Sequence, residues 1–271
     1  MNKKWTASLL LVASISAIQA APLVTIGTGN RKLQFYQAGK RFCQTYDRRN
    51  KNATCKPVIT TGSVENMKGL LSGRFNYALT QKDVFMHYKN RERFKVLKTL
   101  FNSSFYVLTR TSSNIRTFRQ LKGKRVNIGP NGSGLQFTTN VISRAIIGRD
   151  PFRKTTIFAA PQEATLLCGR KVDAIAFLLT RQSKILTRVM TTCPMRLVSV
   201  TGMGVNKLIS KGLYIRARRF GVRSIATPVL LVTLAKPQAK PQAKPQAKPQ
   251  AKPQVKPKAK TQKRTMNKGS I

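Results

Sequence analysis

Acidic residues are the scarcest feature of this chain. Its 271 residues include 7 acids against 51 lysines and arginines, a formal net charge of +44. The acids are Asp47, Glu65, Asp83, Glu92, Asp150, Glu163 and Asp173, and the 98 residues after Asp173 contain none. No two of them are placed like the paired carboxylates of a glycosidase site. Histidine is almost absent as well. His87 stands alone, which removes the acid–base partner of a Ser-His-Asp arrangement. The four cysteines, at 43, 55, 168 and 193, match no zinc spacing and have no histidine beside them. Beyond the N-terminus, no apolar run is long enough to cross a bilayer. These absences argue against an enzyme, and nothing in the sequence calls for a metal or other cofactor.

What is abundant is positive charge. Such a field attracts polyanions and disfavours basic ligands. Nucleic acid fits by charge alone, but the N-terminus points elsewhere. Lys3 and Lys4 precede an apolar run, Ala7 to Ile18, and Ala20-Ala21 offers small residues for cleavage. A signal peptide over residues 1–20, cut after Ala20, puts the mature chain in the periplasm or outside the cell. No cysteine sits there to carry a lipid anchor. The expected partners are then small organic anions or anionic envelope polymers, with no specific nucleic acid. In an oxidising compartment four cysteines read as disulfides. Cys43–Cys55 and Cys168–Cys193 are the simplest of the three pairings, with four buried free thiols as the alternative.

The stretch Leu121 to Thr139, LKGKRVNIGPNGSGLQFTT, organises the chain. Val126 and Ile128 alternate with polar residues as in a half-buried strand. Pro130 and the glycines at 129, 132 and 134 end that strand, and Ser133 is suited to cap the helix that follows. A strand that turns through glycines into a helix presents free backbone N–H groups to a carboxylate or phosphate. A capped turn without a ligand is the plainer account.

Two further segments share the pattern. LVTIGTG, from Leu23, reads as a strand ending in Gly27-Thr28-Gly29, and the aromatics between Leu33 and Asp47 have helical spacing. No full G-x-G-x-x-G follows, so no dinucleotide site is inferred. Cys55 to Thr61 reads as a strand, and Ser63 is placed to cap a helix from Val64 to Leu71 that Gly73 ends. Phe75 to Leu79 is strand-like, with Thr80 to Asp83 as a polar loop. Lys95–Leu100 and Ser104–Thr109 read as two strands. Ser113–Leu121 and Leu135–Ile147 read as helices, Thr155–Ala159 as a strand, Glu163–Cys168 as a helix and Val172–Leu178 as a strand. This alternation predicts a mostly parallel α/β sheet. Asp173, at a strand start, is expected to pair with a neighbouring base.

Taken together, IGTG, TTGSVENMKGLLSGRFNYALTQKDV, LKGKRVNIGPNGSG, LLCGRKVDAIAF, TTCPMRLVSV and FGVRSIATPVLLVT resemble the TAXI family of solute-binding proteins, which serve TRAP transporters. The resemblance spans roughly Leu23 to Thr233. It implies a type II periplasmic-binding-protein fold, with two α/β lobes around a cleft. Residues 21–108 and 199–234 would form lobe one and 109–198 lobe two. It also implies capture of a dicarboxylate or acidic amino acid for a TRAP-type membrane transporter, by a chain expected to be a monomer. The ligand-binding residues expected are Gly27, Thr28, Gly29 and Tyr36 from the first turn and Gly62, Ser63, Val64 and Asn66 from the second. Gln81 follows, then Gly132, Ser133, Gly134 and Thr138 from the third. Asp83 is expected on the cleft side by resemblance, although an acid is an odd lining for an anion site.

The chain departs from that pattern in three places. Arg74, Asn76 and Arg170 stand where the family is usually acidic. Leu178 to Ser183 replaces a glycine-containing turn that would face the cleft. Residues 235–271 take the place of C-terminal helices with AKPQ repeats that carry eleven basic residues and no acid. Proline every fourth residue excludes helix and sheet and favours an extended rod. About 25 such residues would span roughly 80 Å. A solvated tail without a partner is one reading, and an electrostatic tether to an envelope surface is the other. The whole chain thus has an alternative role, as a shortened family member that holds polyanions through its charge.

Overall fold

The βα pattern sets the architecture. The computed structural model describes residues 22–149, 151–156 and 162–235. The proposed signal peptide and, beyond Ala235, the AKPQ tail lie outside the described residues. Strand β1 (Leu23–Gly27) leads to α1 (Gln34–Arg49), β2 (Thr54–Val58), α2 (Ser63–Leu71), β3 (Tyr77–Gln81) and α3 (Lys82–His87). The long strand β4 (Phe94–Arg110) follows, then β5 (Arg125–Asn127), α4 (Gly134–Ile146), β6 (Lys154–Thr156) and α5 (Gln162–Cys168). The chain continues through β7 (Ala174–Leu179), α6 (Ile185–Met190), β8 (Met195–Leu197) and α7 (Met203–Ser210). It closes with a hairpin, β9 (Ile215–Arg219) and β10 (Val222–Leu234).

These strands form one sheet in the order β2-β1-β3-β10-β4-β7-β5-β6, with β8 added to β4 and β9 to β10. Two parallel βαβ groups, β2-β1-β3 and β7-β5-β6, stand on either side of β10 and β4. The expectation of a mostly parallel sheet is therefore corrected. Every pairing made by β4 and β10 is antiparallel, because the chain leaves one group along β4 and comes back along β10. The two strands expected at Lys95–Leu100 and Ser104–Thr109 are one strand. Asn102 and Ser103, which look like a break, pair with Pro228 and Thr227 of β10.

Alternation along β4 separates the packing. Phe105 and Val107 enter a cluster with Phe118, Ile142 and Tyr214, while Tyr106 and Leu108 enter another with Leu167, Phe177 and Leu186. Successive strand residues point to opposite faces, so this half of the sheet is covered on both sides. The other half is covered by α2 and α3 through Met67, Leu70 and Val84, and by α1 through Ala38 and Cys43. The result is the mixed α/β fold of type II periplasmic binding proteins.

Both expected disulfides are present. Cys43–Cys55 ties α1 to β2 with a Cα separation of 4.9 Å, and Cys168–Cys193 ties the end of α5 to the turn after α6 at 6.0 Å. Local corrections follow from hydrogen bonding. Thr80 and Gln81 complete β3 and Lys82 opens α3, so no polar loop intervenes. The helix expected at Ser113–Leu121 is a single 3-10 turn, Phe118–Leu121, capped reciprocally by Thr117 and Gln120. The last residues of the strand expected at Thr155–Ala159 lie outside the described residues. Asp173 pairs with Arg125 at 2.8 Å, as its position suggested.

Candidate functional site

The C-terminal ends of the parallel strands converge on a cavity of about 810 Å³. This is the place where α/β sheets ordinarily take ligands. One wall comes from the turns after β1 and β2, including Gly29, Thr61, Gly62 and Ser63. The opposite wall comes from the turn after β5 and the first residues of α4: Pro130, Ser133, Gly134 and Leu135. The floor and remaining side are apolar, with Phe35, Phe101, Phe177, Leu178 and Leu179. Lys32 and Arg188 also line the cavity, and both are exposed. A second cavity, of about 610 Å³, lies beside α1 among Arg41, Phe42, Tyr46 and Lys98, and none of the glycine turns reaches it.

The two walls touch. The Glu65 amide donates to the Gly132 carbonyl at 3.2 Å, joining the first turn of α2 to the loop before α4. Gly62 caps α2 at φ 128°, a conformation open to glycine. The helix therefore begins at Ser63, the residue expected to cap it, and the cap falls one residue earlier. Ser63 instead uses its hydroxyl on Gln81: it donates to Oε1 at 3.0 Å and accepts from the Gln81 amide at 3.1 Å. Gly134 is required by this contact, since a Cβ there would lie 1.6 Å from Gln81 Oε1 and 2.7 Å from Ser63 Oγ.

Ser133 caps α4 as expected, accepting from the Gln136 amide at 3.1 Å. The Phe137 amide reaches the Ser133 carbonyl. Gly134 and Leu135 precede the first residue that can find a carbonyl four back within the helix, so their amides are the donors that α4 turns toward the cleft.

Six of the thirteen residues proposed to bind ligand line this cavity: Gly29, Gly62, Ser63, Gln81, Ser133 and Gly134. Val64 and Gly132 belong to the same turns without lining it. The others are engaged nearby. Thr28 donates to the Val58 carbonyl at 2.6 Å. Asn66 is fully buried, donates to the carbonyls of Thr28 and Leu79 at 2.6 and 2.8 Å, and accepts from Thr60 at 2.7 Å. It fastens the β1, β2 and β3 ends together. Gly27 lies against Phe75, where a Cβ would come within 2.7 Å. Tyr36 is half-buried on α1 with the Arg31 guanidinium 5.7 Å from its ring. Thr138 donates to Asp83 at 2.6 Å.

Asp83 is therefore a buried junction and not a lining group. It accepts from Thr138 of α4, from Tyr214 at 2.7 Å, from Thr227 of β10 and from the Val84 amide. Burial raises its pKa, although each of these donors works the other way. Asp173 shows the opposite balance: hydrogen bonds from Arg125 hold its carboxyl below the usual range.

Sequence reasoning missed Glu163. It belongs to α5, is 4 % exposed, and lines the cavity. Its Oε2 has no hydrogen-bond partner among the described residues. Burial pushes its pKa up to about 8, partly offset by a hydrogen bond from Asn127. Its one sequence signal was rarity, an acid in the otherwise neutral segment QEATLLC. The Leu178–Ser183 departure also resolves: Leu178 and Leu179 supply an apolar wall where a glycine turn was expected. Among the described residues, no group of three or more His, Cys, Asp or Glu is placed to hold a metal, and no helix is long and apolar enough to cross a membrane.

The sequence profile of the NMT1-like family matches residues 26–219, which include all of the turns described above. The chain belongs to the NMT1-like family. Two solved structures with TM-scores above 0.5 share the fold of this family member. A Xanthomonas citri protein, XAC2383 bound to ATP, superposes with a TM-score of 0.53 at 11% identity, over 81% of this chain and 78% of the other. A Listeria monocytogenes protein assigned as an L-cystine ABC transporter gives 0.51 at 15% identity, over 80% and 84%. The periplasmic aliphatic sulphonate binding protein SsuA of Escherichia coli gives 0.49 at 13% identity, and the chain spans 61% of its length. At these identities the likeness concerns the fold. Within this NMT1-like protein, the cleft is where that fold and the sequence motifs coincide.

Proposed function

We propose that this protein is an exported solute-binding protein of the TAXI type, which captures a small organic acid in the cleft and passes it to a TRAP-type membrane transporter. The observation that carries the reading is the meeting of the Gly62-Ser63 and Ser133-Gly134 turns at one cavity of about 810 Å³. Free N-terminal amides on α4 suit a carboxylate, and the apolar floor suits a carbon skeleton. Family membership, the fold and the motif order support solute binding. The two disulfides support an oxidising compartment.

In this reading, residues 21–108 with 199–234 form one lobe and 109–198 the other. β4 and β10 are the connections on which they would hinge. No catalytic step is assigned to the cleft. A second reading, adhesion to anionic envelope polymers, is favoured by the net charge of +44 and the acid-free 98 residues at the C-terminal end.

Isothermal titration of the whole mature chain against a panel of organic acids separates the two. Saturable one-to-one binding that persists in 0.5 M salt is expected for cleft capture. Binding that is confined to polyanions and disappears with salt would reject it in favour of adhesion.

A further inference from the structure

Glu163 sets a chemical condition on the solute. A carboxyl group buried among apolar side chains is costly unless its oxygens are hydrogen-bonded. One oxygen has the Asn127 side chain as donor, and Oε2 has none. The neighbours of α5 do not fill the gap. Tyr106 of β4 packs in the same apolar cluster as Ala164, but it does not line the cavity, and its own hydroxyl lacks a partner. Arg110, also on β4, is committed to the Leu167 and Val172 carbonyls. The cations that face the cavity are Lys32 and Arg188, and both are exposed.

We propose that the solute is an amphoteric acid with an apolar body, whose protonated amine meets Glu163 Oε2 while its carboxylate meets the N-terminus of α4. This rests on the solute-binding reading above and narrows it. The choice of an amine follows from charge. A second carboxylate beside Glu163 would be an anion buried against apolar walls, and the cations that line the cavity among the described residues, Lys32 and Arg188, are exposed to solvent. An ammonium forms a charge-assisted hydrogen bond with the carboxylate, and the pair as a whole is neutral. Phe35, Phe101, Phe177 and Leu178 then cover the carbon skeleton. In the empty cleft at neutral pH Glu163 holds a proton, since burial disfavours the charged form. On binding, the ammonium keeps its own proton, Glu163 becomes a carboxylate, and the Glu163 proton leaves to solvent.

The test is titration calorimetry of the whole mature chain at pH 7, in phosphate and in Tris, so that the buffer dependence of the heat counts protons. The probes are L-leucine and L-phenylalanine, their deaminated counterparts 4-methylpentanoate and 3-phenylpropanoate, and succinate. The amino acids are expected to bind at least about tenfold more tightly than their deaminated counterparts. They should release about one proton per ligand. Glu163→Gln should abolish the release and bring the two kinds of probe within about threefold of each other. Its circular dichroism spectrum reports whether the variant is folded. Equal or tighter binding of the deaminated acids or succinate, or binding without proton release, overturns the proposal and leaves cleft capture standing. Failure of every probe to saturate the protein overturns cleft capture itself, and this inference with it.

Discussion

Gly134→Ala tests the contact between the two glycine turns. In most helices alanine at such a position would be favourable, by up to about 1 kcal/mol. Here the new methyl would lie 1.6 Å from Gln81 Oε1, 2.6 Å from its Cδ and 2.7 Å from Ser63 Oγ. Gln81 can escape by turning its side chain, but it is buried, and turning breaks its bond from the Ser63 hydroxyl. Overpacking of this kind costs about 1–3 kcal/mol, and a lost hydrogen bond about 1 kcal/mol more. After the helix gain, a net loss of about 1–3 kcal/mol is expected, which lowers the melting temperature by about 3–9 °C for a domain of this size. Thermal unfolding by circular dichroism reads it directly. Gln81→Ala removes the obstructing atoms, so the double variant should recover stability relative to the sum of the singles, with a coupling of about 1 kcal/mol. A Gly134→Ala protein that melts at or above the parent, and that is additive with Gln81→Ala, would mean that the turns do not touch in solution.

Other consequences are equally measurable. Stability should fall as pH rises, because the Glu163 carboxyl ionises near 4.5 in the unfolded chain and at about 8 in the folded one. Across that window the unfolded state binds fewer protons, so folding loses up to about 1.4 kcal/mol per pH unit. Urea unfolding at several pH values should show this slope, and Glu163→Gln should reduce it, leaving the share of the buried Asp83, whose pKa is also raised. Asp83→Ala strips the shared acceptor from Thr138, Tyr214 and Thr227. It should cost about 2–4 kcal/mol in chemical denaturation, and a loss below that range would mean the junction is not buried as described. Reducing the disulfides should cost about 3 kcal/mol for Cys43–Cys55 and slightly more for the longer Cys168–Cys193 loop, read as a drop in melting temperature under dithiothreitol.

Local elements were legible wherever pattern and punctuation agree. β1, α2, β5 and α4 each combine an apolar period with glycine or serine at a boundary, α1 shows the helical spacing of its aromatics, and each appears within a residue or two of its expected limits. The disulfide pairs were legible too, because short sequence separations favour local closure. What sequence could not show depends on partners far away in the chain. β4 continues through Asn102 and Ser103 only because β10 lies beside it, more than 120 residues later. Ser63 looks like a cap, yet Gly62 takes that place because the chain there needs a positive φ, which frees the serine for Gln81. Asn66 was expected on the cleft side by resemblance, and Thr138 as a hydroxyl donor to the ligand. The structure gives their hydrogen bonds to Thr28, Leu79 and Asp83. Glu163 is the converse case. Only three-dimensional placement shows that an acid in a short helix lines an apolar cavity with one oxygen unsatisfied.

The central claim is that the Gly62-Ser63 and Ser133-Gly134 turns enclose a solute site. Backbone ¹H–¹⁵N spectra of the mature chain, recorded during titration with a saturating organic acid, test it most directly. The account predicts that the Gly134 and Leu135 amides, with those of Gly62 and Ser63, shift along one binding curve, while amides around Arg41 and Arg49 on α1 stay in place. Shifts spread over the basic surface, with the cleft amides unmoved, would contradict it.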